Sequence, residues 1–131
     1  MIKAILRHRV IDNWGSGAYG ASRGDRTHNG IDYACPPGTS ILAPCDGVVT
    51  KLGYPYGDDL SFRYVQITRA NGEKWRIFYV EPSVELNQQV YEGDIVGKSQ
   101  ALGNRYDKIT EHIHLEVKDM QGNYHNPEEL I

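Results

Sequence analysis

The segment EHIHLEV, Glu111 to Val117, carries two histidines one residue apart inside an apolar run. Side chains alternate faces along a strand, so His112, His114 and Glu116 share one face while Ile113, Leu115 and Val117 share the other. With the apolar set turned to the core, the histidine pair projects toward a groove or solvent. That argues against inert core imidazoles, which are costly to bury without partners. A second segment, THNGIDYACPPGTSILAPCDGVV, places His28 and Asp32 four residues apart, with Gly30 between them where the chain is expected to turn into a strand. A histidine ending a loop and a carboxylate on the next strand can converge on one ion. Zinc takes about three protein ligands of the His, Asp, Glu or Cys type, and a catalytic site keeps a fourth position open. Spacing alone makes the His28–Asp32 pair weak; the two segments together are far more specific.

These side chains need a rigid scaffold. The chain has 131 residues, 40% hydrophobic and 24% charged, which is ordinary composition for one globular domain spanning residues 1–131. A net charge of -3 gives no electrostatic case for nucleic acid, which calls for a basic face. MIKAILRHRVIDNW is too short and too charged for a signal peptide or a membrane span. The expectation is a protein made soluble, needing a separate route to act outside the cell.

Short β-branched and aromatic runs, cut by glycine, proline and asparagine, indicate an all-β fold with little helix. The predicted strands are Ile31 to Ala34, Ser40 to Ala43, Gly47 to Gly53, Arg63 to Ala70, Lys74 to Val80, Ile95 to Ser99 and His112 to Lys118, with Lys3 to Val10 a further candidate. RANGEK contains Asn71-Gly72 between two such runs, a hairpin signal because both residues tolerate positive φ. NPEELI fits a single helical turn with Asn126 as cap and Pro127 at its first position. The glycine-rich stretch from Asn13 to Gly30 reads as an irregular N-terminal loop forming one wall of a site. His8 and His125 match no motif. Cys35 and Cys45 are too few for a disulfide scaffold; neighbouring strands that pair them and two free, half-buried thiols are both open readings.

HNGID, then PPGTSILAPCDGVV, EGDIVG and HIHLEV, resembles the lysostaphin/LytM-type zinc peptidases, which cut peptide bonds in bacterial peptidoglycan. The likeness runs from about Tyr19 to Pro127, and motif order and intermotif distances agree as well as residue types do. The resemblance implies a small antiparallel β-sheet domain with a groove over the sheet. It implies one Zn2+ per chain held by His28, Asp32 and His114, with His112 as the catalytic histidine. The substrate it implies is a peptidoglycan stem or cross-bridge peptide. Zinc lowers the pKa of water toward roughly 7, and His112 would take the water proton and pass it to the leaving amine.

One position departs from the pattern. Active members of the family carry a further histidine upstream of the GDIVG-like hairpin, yet WRIFYVEPSVELNQQVYEGDIVG contains none. Tyr79 falls at or beside that position, with Glu81 two residues on. A tyrosine hydroxyl donates one hydrogen bond, and losing an oxyanion donor costs on the order of 10²- to 10³-fold in rate. FYVEP and YGASR resemble the vertebrate leukocyte chemotaxin branch of the superfamily, which keeps the zinc ligands and binds rather than cleaves. Two expectations follow. One is a zinc endopeptidase acting at the bacterial cell wall or periplasm, suited to a phage lysis enzyme (an endolysin) or a wall-remodelling module, with Tyr79 and His112 catalytic. The other is a zinc-binding recognition module of the same fold. Trp14, Tyr19, Tyr54 and Tyr56 either line a groove or simply pack, and Arg23 either meets a substrate carboxylate or stays solvated.

Overall fold

The computed structural model describes residues 29–106 and 109–130, together with the backbone of residues 7 and 8. The irregular N-terminal loop, with Trp14, Tyr19, Arg23 and His28, lies outside the described residues. Strands are β1 (Arg7–His8), β2 (Ile31–Ala34), β3 (Ser40–Leu42), β4 (Gly47–Gly53), β5 (Tyr64–Thr68), β6 (Lys74–Phe78), β7 (Val80–Pro82), β8 (Gln89–Val90), β9 (Ile95–Ser99), β10 (His112–Lys118) and β11 (Tyr124–His125). Short 3-10 turns at Leu102–Asn104 and Pro127–Glu129 are the helical elements among the described residues. None is long and apolar enough to cross a membrane.

An eight-stranded sheet has the order β1-β2-β10-β6-β5-β4-β8, with β11 also paired to β10. A three-stranded sheet has the order β3-β9-β7. All pairings are antiparallel, as the all-β reading expects. Two turns share one device. Gly72 (φ +88) and Gly122 (φ +85) each close a tight turn through an N–H bond to the carbonyl three residues back. Their left-handed backbone is the conformation glycine adopts without a Cβ penalty. At RANGEK only Gly72 takes the positive φ; Asn71 contributes its side chain, accepting from the Glu73 amide. Asn126 caps the C-terminal turn as predicted, its side chain accepting from the Glu128 amide with Pro127 in the first turn.

The core lies on one face of the large sheet. Ile31, Tyr33, Val65, Ile67, Trp75, Ile77, Ile113, Leu115 and Val117 are all fully buried there and cluster with Ile41, Val80 and Val96 of the small sheet. Register keeps this set aligned: Leu115 faces Ile31 on one side and Ile77 on the other. Slipping any strand by one residue would turn its apolar set outward. Cys35 and Cys45 join the core as buried free thiols.

The predicted strand from Lys74 to Val80 is broken. β6 ends at Phe78, Tyr79 takes φ +69, and the chain crosses into the small sheet as β7. The physical cause is non-local: the Arg63 carbonyl accepts from the amides of both Tyr79 and Val80, and the Tyr79 carbonyl accepts from the Gln100 amide. For a bulky aromatic side chain this backbone is a genuine outlier, costing about 1–3 kcal/mol. Sequence pattern alone cannot reveal such a kink.

Candidate active site

The face opposite the core carries the polar residues of the motifs. Antiparallel register sets His114 of β10 directly opposite Asp32 of β2, although 82 residues separate them in the chain. His114 Nδ1 lies 2.9 Å from Asp32 Oδ1, and His112 Nε2 lies 3.4 Å from Asp32 Oδ2. One carboxylate therefore faces two imidazoles. Both Asp32 and His112 are buried, and His114 is partly so; of the groove or solvent expected for the histidine pair, it is a covered groove that the structure supports. Aromatic rings cover it: the Tyr79 ring stands edge-on to His112 with centroids 5.7 Å apart, and Phe78 packs against His114 at 5.2 Å.

Each imidazole is oriented by its second nitrogen. His112 Nδ1 lies 2.7 Å from the Thr110 carbonyl. A carbonyl only accepts, so Nδ1 donates there and Nε2 is the nitrogen that faces Asp32 and the site. His114 Nε2 lies 3.1 Å from Glu116 Oε1, leaving Nδ1 toward Asp32. Burial opposes protonation of His114, but hydrogen bonds to Asp32 and Glu116 and their negative charges outweigh it, raising its pKa to about 9. The pair of carboxylates thus favours a positive charge at this imidazole. Glu116 is itself buried. Sequence reasoning placed it on the histidine face without a role; the i, i+2 alternation from His114 was the available signal.

Gly30 is the bend that leads into β2, as expected, and its lack of a side chain matters there as well. Its φ lies outside the left-handed region, and what it supplies is close approach. A Cβ there would come within 2.3 Å of the Leu115 carbonyl oxygen and 2.7 Å of His114 Cε1. The strand start in HNGID therefore presses backbone directly onto the imidazole, and any side chain would push the ring away.

Loops complete the surround. Glu111, next to His112, accepts from the amides of Leu102 and Gly103 and so pins the 3-10 turn over the end of β10. Tyr56 lies in the same cluster: its hydroxyl is 2.9 Å from that of Tyr79 and 2.5 Å from that of Tyr106. Tyr54 is instead 47% exposed, with the Arg63 guanidinium 4.3 Å above its ring. Glu81 sits exposed on β7 opposite Lys98, whereas the Tyr79 ring meets His112. His125 pairs with Asp119 at 2.8 Å in a surface turn, away from the motifs.

Asp32 and His114 have the donor chemistry of zinc ligands, and Glu116 on the far nitrogen of His114 matches the carboxylate that orients a ligating imidazole. Among the described residues no group of three or more His, Cys, Asp or Glu gathers to hold a metal; His28 lies outside them.

The chain resembles proteins of two kinds. It is 28% identical to leukocyte cell-derived chemotaxin-2 of Bos taurus over 86% of this chain and 74% of that one. It is 31% identical to the DD-carboxypeptidase/endopeptidase Mpg of Neisseria gonorrhoeae over 85% of this chain, but that stretch is 22% of the larger protein. The fold superposes on the catalytic domain of a mutant of the prophage-encoded M23 protein EnpA from Enterococcus faecalis, with a TM-score of 0.70. That match has 23% identity and covers 98% of this chain and 93% of the other. The family model for peptidase family M23 matches residues 26–127. Fold, motif order and this match agree, and the chain belongs to peptidase family M23.

Proposed function

We propose that residues 1–131 form a single zinc-dependent endopeptidase domain that hydrolyses peptide bonds in bacterial peptidoglycan. The observation that carries this reading is the buried Asp32 carboxylate facing both His114 Nδ1 and His112 Nε2. His28, Asp32 and His114 would hold one zinc ion. Bound there, zinc would supply Lewis acidity toward the scissile carbonyl and make water more acidic. His112, with Nδ1 committed to the Thr110 carbonyl, takes a proton at Nε2 from the attacking water and returns it to the leaving amine. The Tyr79 hydroxyl donates to the oxygen on which negative charge develops, the task of the absent histidine. Glu116 keeps His114 in one orientation. The relatives named as peptidoglycan endopeptidases and carboxypeptidases support this substrate class, with action at the bacterial cell wall.

A second reading has its own support. The segment from Trp75 to Gly97 contains no histidine where active family members carry one, with Tyr79 at or beside that position, and the similarity to chemotaxin-2 covers most of both chains. In that reading the same fold is a zinc-binding recognition module without turnover.

Purified sacculi incubated with zinc-loaded protein, with released fragments analysed by mass spectrometry, separate the two. New amino termini are expected from the wild type and not from His112→Ala, which should retain its zinc. No new termini at high protein concentration across pH would overturn the peptidase reading. Elemental analysis of His114→Ala should show lost metal; full occupancy would refute the ligand assignment.

A further inference from the structure

The polar face of the large sheet carries, beside the candidate site, a second set of groups that no motif contains. Register lines up Asp32, His114, Phe78, Tyr64 and Gly53 in one row across five strands. The next row along holds Glu116, Arg76, Gln66 and Lys51. Phe78 packs on His114 at 5.2 Å and on Tyr64 at 4.9 Å, so an aromatic floor leads from the site across the sheet. The Arg76 guanidinium lies 5.2 Å and the Lys51 ammonium 5.9 Å from the centre of the Tyr64 ring. We propose that Arg76 and Lys51 form a subsite for a free carboxylate of the substrate peptide, with Arg76 as the specificity-determining residue.

Local chemistry places these cations and leaves their charge unanswered. Arg76 Nε donates to Gln66 Oε1 at 2.8 Å, and buried Gln66 is held in turn by its Nε2 donating to Thr50 Oγ1 at 3.0 Å. A neutral amide orients the guanidinium without neutralising it, and the Nη groups present a fork that matches a carboxylate. Glu116 stands opposite Arg76 in register, but its Oε1 lies 3.1 Å from His114 Nε2. A register shift between Val49 and Lys51 leaves Thr50 and Lys51 both exposed, as an inserted residue in a strand does. Gly53 completes the floor, because a Cβ there would run into the Tyr64 ring. Arg63 adds a third cation, donating to the carbonyls of Gly53 and Leu52 at 3.3 Å. Among the described residues none of these three cations has an ion-pair partner.

Charge and distance both select the ligand. The chain carries a net charge of -3, yet here two cations share one buried ring. Like charges held near each other repel. An anion between them relieves that repulsion and gains charge-assisted hydrogen bonds. Neighbouring strands lie about 4.8 Å apart, so Tyr64, two strands from His114, is about 10 Å from it. That is the span of about three residues of extended peptide. A peptide running from the site over Phe78 therefore brings a carboxylate on its third residue, or on the side chain of a nearer one, onto Arg76.

The inference rests on the peptidase reading, and binding to a form without turnover tests it separately. The probes are soluble muropeptides cut from sacculi at the glycan, used native or with their carboxylates converted to primary amides. Affinities are measured by calorimetry on zinc-loaded His112→Ala protein, alone and with each second substitution. Native muropeptides are expected to bind about tenfold more tightly than amidated ones, the low end for hydrogen bonds to a charged group. Arg76→Gln should abolish this preference. Gln66→Glu keeps the hydrogen bond to Arg76 but neutralises the cation, and should abolish it too; a merely structural role for Arg76 would leave it intact. Lys51→Gln, at an exposed position that folding tolerates, should reduce the preference about threefold. In wild-type kinetics the same preference should fall on KM, because a remote contact holds ground state and transition state alike. Equal affinities for the two probes, or a preference that survives both Arg76→Gln and Lys51→Gln, would overturn the proposal. If the wild type cleaves no muropeptide, the peptidase reading fails, and the binding constants still decide the subsite; cleavage without any preference sinks the subsite alone.

Discussion

Replacing Gly30 by alanine tests the geometry of the site with the smallest change the chain allows. The added carbon would lie 2.3 Å from the Leu115 carbonyl oxygen, 2.7 Å from His114 Cε1 and 2.8 Å from His114 Nε2. The first contact is with backbone of a central strand in register with Ile31, so no rotamer change relieves it. Overpacking of this kind costs about 1–3 kcal/mol, and a fixed backbone partner puts this case toward the upper end. Removing glycine also stiffens the unfolded chain, which stabilises by about 0.4–1 kcal/mol. The clash wins, leaving a net loss of about 2 kcal/mol, or about 8 °C in Tm for a domain of this size. Thermal melts in chelator measure this term apart from metal. Zinc affinity by chelator competition then reports the displaced His114 ring, with at least a tenfold loss expected, the low end for a disturbed ligand shell. Gly57→Ala is the control, since a carbon there meets nothing within 4 Å; its Tm should hold or rise slightly. A Gly30→Ala protein melting within about 2 °C of the wild type, with unchanged zinc affinity, would refute the close-approach argument.

Other outcomes follow from the same geometry. Glu116→Gln keeps the shape beside His114 but removes the charge, and zinc affinity measured by chelator competition should fall about 10- to 100-fold; an unchanged affinity would remove Glu116 from the site. Burial pushes the Cys45 thiol up to about 12, with the Arg69 charge opposing and nearby carboxylates adding to the rise. The folded state therefore prefers the neutral thiol, so this contribution is full below the ordinary thiol range and is lost as pH rises toward 12. Denaturant titrations should show stability falling above about pH 9, less steeply in Cys45→Ala; equal slopes would contradict the shift. Both buried thiols should also resist a disulfide reagent until the protein unfolds, and labelling faster than global opening would argue for local exposure. The hydrogen bond from His125, with backbone amides of the turn, holds Asp119 down at about 2. Its small stabilisation is present above the ordinary carboxylate range and lost as pH falls through about 2, so Asp119→Asn should differ from wild type at pH 6 and converge with it near pH 2 in denaturant melts.

Much of the scaffold was legible in local pattern. β2, β4, β9 and β10 begin and end where alternation and turn residues placed them; glycine or proline marks the limits of β2 and β4, and alternation sets β10. The split of His112, His114 and Glu116 from Ile113, Leu115 and Val117 followed from strand period alone, and the core contains the second set. Two-residue strands such as β8 and β11 carry no periodicity and were not foreseen.

What only the tertiary structure decided is how distant segments meet. Sequence order cannot say that His114 pairs with Asp32, since register across 82 residues depends on which apolar faces close the core. Nor can it show the kink at Tyr79, imposed by the Arg63 carbonyl and the Gln100 amide against the residue's own preference for an extended strand. Glu111, Tyr56 and Tyr106 belong to no recognisable spacing. They reach the site because their loops fold back over one end of β10 and β6. The motif residues specified which chemistry was available; long-range packing specified which groups orient it.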